Sequence, residues 1–154
     1  MSEQKIPYES LMIGATVNIL AQHINRRVAQ AVREHGFTDF RASFHPVFQW
    51  CGPQGSRLTE LAEWAGVTKP SMSEIVDILV RLGYVERTPD PSDRRATLIR
   101  RTERGWEVNR IARQVVEAVQ ANWSQVIGAE AFSQLLDGLR RLTRLATERG
   151  HDEE

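Results

Sequence analysis

Residues 58–102 read LTELAEWAGVTKPSMSEIVDILVRLGYVERTPDPSDRRATLIRRT, and this stretch decides the fold. Apolar residues at helical spacing predict two helices, Leu58–Ala65 and Thr68–Leu82, separated by Gly66. Two short helices joined at a glycine are typical of a helix-turn-helix. That motif makes packing demands that individual residues must meet.

The residues around the turn meet these demands. Ala62 is small where the two helices approach, and Gly66 tolerates the positive φ of the turn. The positions expected to face inward are all apolar: Leu61, Ala65, Val67, Met72 and Ile75. We expect Thr68 to cap the second helix, and Pro70 fits its first turn because the N–H that proline lacks would be unpaired there.

A short β-hairpin is expected after these helices. Two strands, Tyr84–Arg87 and Ala96–Arg101, flank a charged turn that contains proline. The order helix, helix, strand, turn, strand predicts a winged helix. The fold class is therefore mainly α with a small β-wing.

Long amphipathic helices are predicted on both sides of this module. Helical periodicity extends over Tyr8–Glu34, and a shorter helix near Arg41–Cys51 should start or kink at Pro46. Thr102 should cap a long helix that reaches about Val126, and a last helix covers Ala129–Glu148. These helices have more apolar surface than the small module can cover, which predicts a homodimer. We expect an N-terminal dimerisation helix in 1–40, the DNA-binding winged helix in 41–102, C-terminal dimerisation helices in 103–150 and a tail in 151–154.

The outward face of the second helix carries the candidate DNA contacts. The N-terminal end of a recognition helix enters the major groove, so polar residues there can reach phosphates or base edges. Lys69 suits phosphate, and Glu74 could accept from cytosine N4. The predicted contacts on this helix are Thr68, Lys69, Ser71, Ser73, Glu74 and Asp77. A solvated face of an ordinary amphipathic helix is the alternative interpretation.

The turn of the wing supplies two further candidates, Arg94 and Arg95. Adjacent side chains of an extended segment point in opposite directions. One arginine, which we take to be Arg94, can therefore reach a minor groove, while the other pairs with Asp90 or Asp93 and holds the loop. A solvated charged turn is again the alternative.

The distribution of charge supports a polyanionic partner although the net charge is zero. Residues 81–113 contain nine arginines against five carboxylates, whereas residues 114–154 contain four arginines against seven. Polyanion binding depends on where cations cluster, so the local excess outweighs the neutral total. Double-stranded DNA is the predicted partner.

The same residues resemble the MarR family of bacterial and archaeal regulators. The resemblance is carried by LTELA at 58–62, GVTK at 66–69, LGYVER at 82–87, DPSDRRA at 90–96 and TERG at 102–105. It implies an obligate dimer, a pseudo-palindromic operator and a small acidic or phenolic effector. Arg101 departs from the pattern, because the family usually has a hydrophobic residue there.

A cluster on the first two helices is the candidate effector site. Its predicted residues are His23, Arg41, His45 and Trp50, because aromatic walls with a few cations suit an aromatic carboxylate or a phenol. Interface histidines and a core tryptophan are the alternative interpretation. The single cysteine, Cys51, is expected to be structural, since a sensor thiol needs an accessible electropositive setting.

Other function classes find little support in the sequence. It contains no phosphate loop, nucleophile elbow or helical zinc spacing, so we expect no enzyme activity, cofactor or metal. No apolar run is long enough to cross a membrane, and no signal peptide is recognisable, which predicts a cytoplasmic protein. The competing interpretation is a winged-helix adaptor or antirepressor that binds protein instead of DNA.

Overall fold

The computed structural model describes residues 11–148, except for the side chains of Arg94 and Glu148. The helices are α1 (Ile13–Glu34), α2 (His45–Trp50), α3 (Leu58–Trp64), α4 (Lys69–Arg81), α5 (Glu103–Ile127) and α6 (Ala129–Glu148). The strands are β1 (Ser56–Arg57), β2 (Val85–Asp90) and β3 (Asp93–Arg101). The predicted fold class, mainly helical with a small β-wing, is confirmed. The start of the first predicted helix and the predicted tail lie outside the described residues.

The wing is an antiparallel sheet with the strand order β1-β3-β2. Its hairpin is longer than predicted, and only Pro91 and Ser92 lie between the two paired strands. The strand β1, which was not predicted, pairs Ser56 with Ile99 and Arg57 with Leu98 of β3. Two residues are too few for an alternation pattern, so only the pairing itself identifies this strand.

The helix-turn-helix packs around four fully buried side chains: Leu61, Met72, Val76 and Leu79. Gly66 has φ +64°, the positive value that the predicted turn requires. The prediction for Val67 was wrong, because its side chain is 37% exposed. Its N–H donates to the carbonyl of Ala62 and closes the turn, so this residue contributes through its backbone while its side chain faces outward.

The segment between α1 and the wing contains an aromatic core. Phe40 makes edge-to-face contacts with Phe44, Phe48 and Tyr84, with centroid distances from 5.3 to 5.9 Å. Such contacts add to the free energy of apolar burial. A 3-10 turn, Ala42–Phe44, precedes α2, whose first turn contains Pro46. The helix therefore begins at His45, one residue before the proline at which the sequence predicted a start or a kink.

The chain forms two compact units, Met1–Val115 and Val116–Glu154. The second contains the end of α5 and all of α6, and in it Val119 and Phe132 are buried. Leu135, Leu142 and Leu145 of α6 remain about half exposed. The described helices include none whose length and apolarity would suffice to cross a membrane.

Candidate nucleic-acid interface

The N-terminal half of α4 has a polar surface that begins at its cap. The hydroxyl oxygen of Thr68 accepts from the N–H of Ser71 at 3.3 Å, which confirms the predicted cap. Lys69, Ser71 and Glu74 are exposed, whereas Ser73 is half-buried. Of the predicted contacts on this helix, Ser73 is therefore the least accessible.

Asp77, at the far end of this surface, has a partner in the wing. Nη2 of Arg87, on β2, donates to Oδ1 of Asp77 at 2.7 Å. This pair was not predicted, because it joins residues ten positions apart on different elements. The carboxylate of Asp77 is thus neutralised by a guanidinium at the same surface.

The turn of the wing is held by Asp90, the last residue of β2, whose side chain is only 7% exposed. Its Oδ1 accepts from the hydroxyl of Ser92 at 2.6 Å and from the N–H of Ser92 at 2.8 Å. Its Oδ2 accepts from Nε and Nη2 of Arg57 at 2.9 and 2.6 Å. The hydrogen bonds from Ser92, followed by those from Arg57, lower the pKa of Asp90 to about 2.

These contacts revise the prediction that one wing arginine reaches the minor groove while the other pairs with Asp90 or Asp93. Within the described side chains, the guanidinium that pairs with Asp90 belongs to Arg57, which also lies 3.8 Å from Asp93. Asp93 accepts the backbone N–H of Arg95, whose own side chain is exposed. The side chain of Arg94 lies outside the described part, so its predicted position at the tip stays a prediction.

Arg101, the departure from the family pattern, has a structural position. Its Nη2 donates to the carbonyls of Phe48 and Cys51, at 2.8 and 2.5 Å, at the end of α2. Its guanidinium lies 4.7 Å from the ring centroid of Trp106. The arginine therefore supplies a donor to helix carbonyls that would otherwise lack one, which a hydrophobic residue could not do.

Cys51 is buried in the same region. Its Sγ donates to the carbonyl of Ile99 at 3.2 Å, and burial raises the pKa of the thiol. A buried thiol of raised pKa is a poor nucleophile. These features agree with the structural role that the sequence predicted.

A second region of interest is an open cleft of about 360 Å³ beside α2. It is lined by Asn25, Ala42, Ser43, His45, Pro46, Gln49, Trp50, Trp64 and Ala65. His45 and Trp50 were predicted for this site, but His23 and Arg41 do not line the cleft. Trp64, which the sequence analysis missed, lies with its ring centroid 6.4 Å from that of Trp50.

The cleft carries no formal charge near neutral pH. Burial lowers the pKa of His45 below 6.5, and the Nε2 of its ring lies 3.1 Å from the carbonyl oxygen of Asn25. The neutral tautomer with a proton on Nε2 fits this contact.

No cluster of metal-ligating side chains occurs among residues 11–148.

Comparisons with known proteins agree with this geometry. The model of the MarR family matches residues 53–97. The chain is 29% identical over 126 residues to the uncharacterized HTH-type transcriptional regulator YdcH of Bacillus subtilis (strain 168), which covers 80% of this chain and 84% of YdcH.

Two solved structures of CouR are also similar. CouR from Rhodococcus jostii RHA1 bound to p-coumaroyl-CoA matches with a TM-score of 0.66 at 26% identity, over 84% of this chain and 90% of that one. The transcriptional repressor CouR bound to a 23-mer DNA duplex matches with a TM-score of 0.65 at 24% identity, over 92% of this chain and 99% of that one. At 24% identity, the match to the DNA-bound structure shows a similar fold and no more.

Proposed function

Because the chain carries a MarR-family winged helix-turn-helix, as its sequence predicted, we propose that it is a homodimeric transcriptional repressor of pseudo-palindromic operators in duplex DNA. The observation that carries this proposal is the exposed polar start of α4 beside an arginine-bearing hairpin. In the proposed domain organisation, 41–102 binds DNA, 1–40 and 103–150 dimerise, and 151–154 is a tail.

The helix α4 would read the major groove from its N-terminal end. Lys69 contacts phosphate, Thr68 and Ser71 contact phosphate or base edges, and Glu74 accepts from cytosine N4. Ser73 and Asp77 complete the proposed surface, Asp77 with its charge balanced by Arg87. That balance accounts for one of the two carboxylates, Glu74 and Asp77, whose presence on this face is the reason to consider an adaptor without DNA affinity.

The wing would reach the neighbouring minor groove through Arg94 and Arg95. Minor grooves that are narrow at A·T-rich steps have an enhanced negative potential and attract inserted arginines. Arg57 holds Asp90 at the end of β2, directly before the turn, so the turn is presented from a fixed support. The wing thereby adds shape readout to the base readout of α4.

A second copy of the chain would cover the apolar surface at the two ends. Met12, which precedes α1, and Ile13, Val17 and Leu20 on α1 are 40–81% exposed, and on α6 three leucines are about half exposed. Apolar stripes at helical spacing are typical of partner interfaces. A twofold dimer would place its two recognition helices about 34 Å apart, one turn of DNA.

For the cleft beside α2 we propose a small phenolic effector. Two tryptophan rings can enclose a flat aromatic molecule, while Ser43, Gln49 and His45 offer hydrogen bonds without formal charge. His23 and Arg41, which the sequence also predicted as effector contacts, do not line the cleft, so this proposal assigns them no contact with the phenol. The lack of a cation favours a neutral phenol over the aromatic carboxylate that the sequence also allowed.

Tryptophan fluorescence tests the effector. Titration with 4-hydroxybenzaldehyde should give a saturable change that Trp50→Leu abolishes, while 4-hydroxybenzoate should bind more weakly. Tighter binding of the benzoate, or no binding of either compound, contradicts the proposal.

Selection of bound duplexes from a random pool tests DNA recognition. We expect an inverted repeat whose half-sites lie about 10 base pairs apart, and affinity that falls steeply with salt because phosphates are neutralised. Absence of any enriched sequence and of any gel shift at low salt contradicts the proposal and supports the protein adaptor.

A further inference from the structure

A cationic notch separates the start of α4 from the wing. It is an open cleft of about 330 Å³ lined by Arg57, Leu58, Thr59, Lys69, Arg87, Ala96, Thr97 and Ile99. Three of these side chains are cations, two carry hydroxyls, and none is a carboxylate. Neither Arg57 nor Arg87 was among the residues that the sequence analysis selected.

Two carboxylates outside the notch hold its guanidinium groups. Asp90 binds Arg57 through Nε and Nη2, and Asp77 binds Nη2 of Arg87. Lys69, in contrast, makes no ion pair with any described residue. The two guanidinium groups are therefore held by carboxylates that do not line the notch, while the ammonium group of Lys69 is free to follow a ligand.

The position of the notch indicates which ligand it takes. The major and minor grooves of a duplex are divided by a single sugar–phosphate strand. If α4 occupies one groove and the wing the next, the surface between them faces that strand. A surface that offers cations and hydroxyls there matches the chemistry of a phosphodiester and reads no base.

We propose that the notch formed by Arg57, Lys69 and Arg87 binds one DNA phosphodiester per protomer, with Asp77 acting as a positioning residue for Arg87. This inference rests on the proposed DNA binding and adds a defined backbone contact to it. In this proposal Asp77 favours DNA binding, because its carboxylate orients the guanidinium of Arg87 toward the phosphate. A carboxylate without such a partner would only repel DNA.

A phosphate scan tests the notch with the full-length chain and its selected operator. Duplexes with one neutral methylphosphonate at each successive position are measured for affinity by fluorescence anisotropy. For the wild type, one position per half-site should lower affinity roughly tenfold or more, as expected for a lost charged hydrogen bond. Lys69→Gln and Arg87→Gln should bind the unmodified duplex roughly tenfold more weakly than the wild type. In both variants, methylphosphonate at the position found with the wild type should no longer lower the affinity.

Arg81→Gln is the matched control. Arg81 is exposed in the last turn of α4, about 18 Å along the helix from Lys69, and should keep the wild-type sensitivity. If Lys69→Gln and Arg87→Gln also lose affinity when methylphosphonate is placed at that position, the notch is not the phosphate site. The proposed DNA binding would not be affected by that result. If the wild type binds no duplex, the proposed function itself fails.

Asp77→Asn tests the positioning role. We expect weaker binding of the unmodified duplex and a reduced methylphosphonate effect at the same position, in spite of the lost negative charge. Tighter binding would show that Asp77 only repels DNA.

Calorimetric titration with inorganic phosphate, without DNA, separates a free-anion site from a backbone site. Saturation below 1 mM that Arg87→Gln abolishes would overturn the DNA assignment.

Discussion

Asp90 shows how one carboxylate makes the wing sensitive to acid. Its pKa of about 2 in the folded chain lies below the ordinary value of 3.8, so its contribution to stability is complete above pH 4 and is lost as the pH falls toward 2. Urea denaturation of the wild type should show this loss. Asp90→Asn should be less stable at pH 7 and should lose less on acidification.

Asp137→Asn is the control for this acid profile. Asp137 is exposed and, among residues 11–148, bonds only to Arg140, three residues away on the same helix, so its removal should leave the pH profile of unfolding almost unchanged. Equal profiles for wild type and Asp90→Asn would contradict the role given to Asp90.

Arg101 also stabilises the fold through hydrogen bonds, but its acceptors are two uncharged backbone carbonyls. Arg101→Met leaves the carbonyls of Phe48 and Cys51 without this donor, which should lower the free energy of unfolding by about 1–3 kcal/mol. Arg101→Lys should recover part of the loss, because an ammonium can bond one carbonyl but lacks the planar fork. Thermal denaturation ranks the three proteins, and a methionine variant as stable as the wild type would refute this account.

At the scale of elements, the turn between α3 and α4 depends on backbone conformation more than on space. A Cβ at Gly66 would meet nothing within 4 Å, yet the residue has φ +64°. Gly66→Val should therefore cost about 1–3 kcal/mol of stability through strain alone. Gly66→Asn should cost much less, since asparagine tolerates this region. Equal losses in chemical denaturation would mean that space, not φ, limits the site.

The wing and α4 form one surface because polar contacts link them. The pair Arg87–Asp77 joins β2 to α4, and the pair Arg57–Asp90 joins the start of α3 to the hairpin. The exposed pair Arg87–Asp77 contributes little to stability, whereas the pair Arg57–Asp90 includes a buried carboxylate. Both pairs affect geometry, since they fix where the cations of the notch lie relative to the recognition helix.

At the scale of the whole molecule, the exposed leucines of α6 make the proposed dimer testable. Leu142 is 53% exposed, and Leu142→Glu should place a charge in the interface and shift the protein toward monomer. DNA affinity should fall with it, because one protomer reads only a half-site. Sedimentation equilibrium at micromolar concentration measures the change.

Ser133→Glu provides the matched control for this dimer test. Ser133 is exposed and lies about 180° around α6 from Leu142, at 100° per residue. Its variant should dimerise like the wild type. A wild type that is already monomeric at micromolar concentration, or a Leu142→Glu variant that dimerises normally, would contradict the proposed interface.

Local pattern in the sequence was sufficient for most of the helices and for the motif. Periodicity placed α4 within a residue of its observed ends and α6 at its observed ends, and the caps at Thr68 and Thr102 followed from residue type. These features depend on neighbours within about four positions, which a single sequence displays. The same reasoning identified the exposed polar start of α4.

Only the tertiary structure decided which side chains meet. Arg57 is 33 residues from Asp90, and Arg87 is ten from Asp77, so neither pair has a periodic signal. The outward side chain of Val67 and the two-residue strand β1 likewise depend on how the chain turns and pairs. The sequence by itself therefore determined a winged helix-turn-helix with a polar recognition helix. The cationic notch exists only because folding brings α3, α4 and the wing together, since ion pairs between distant positions depend on backbone placement that local pattern does not encode.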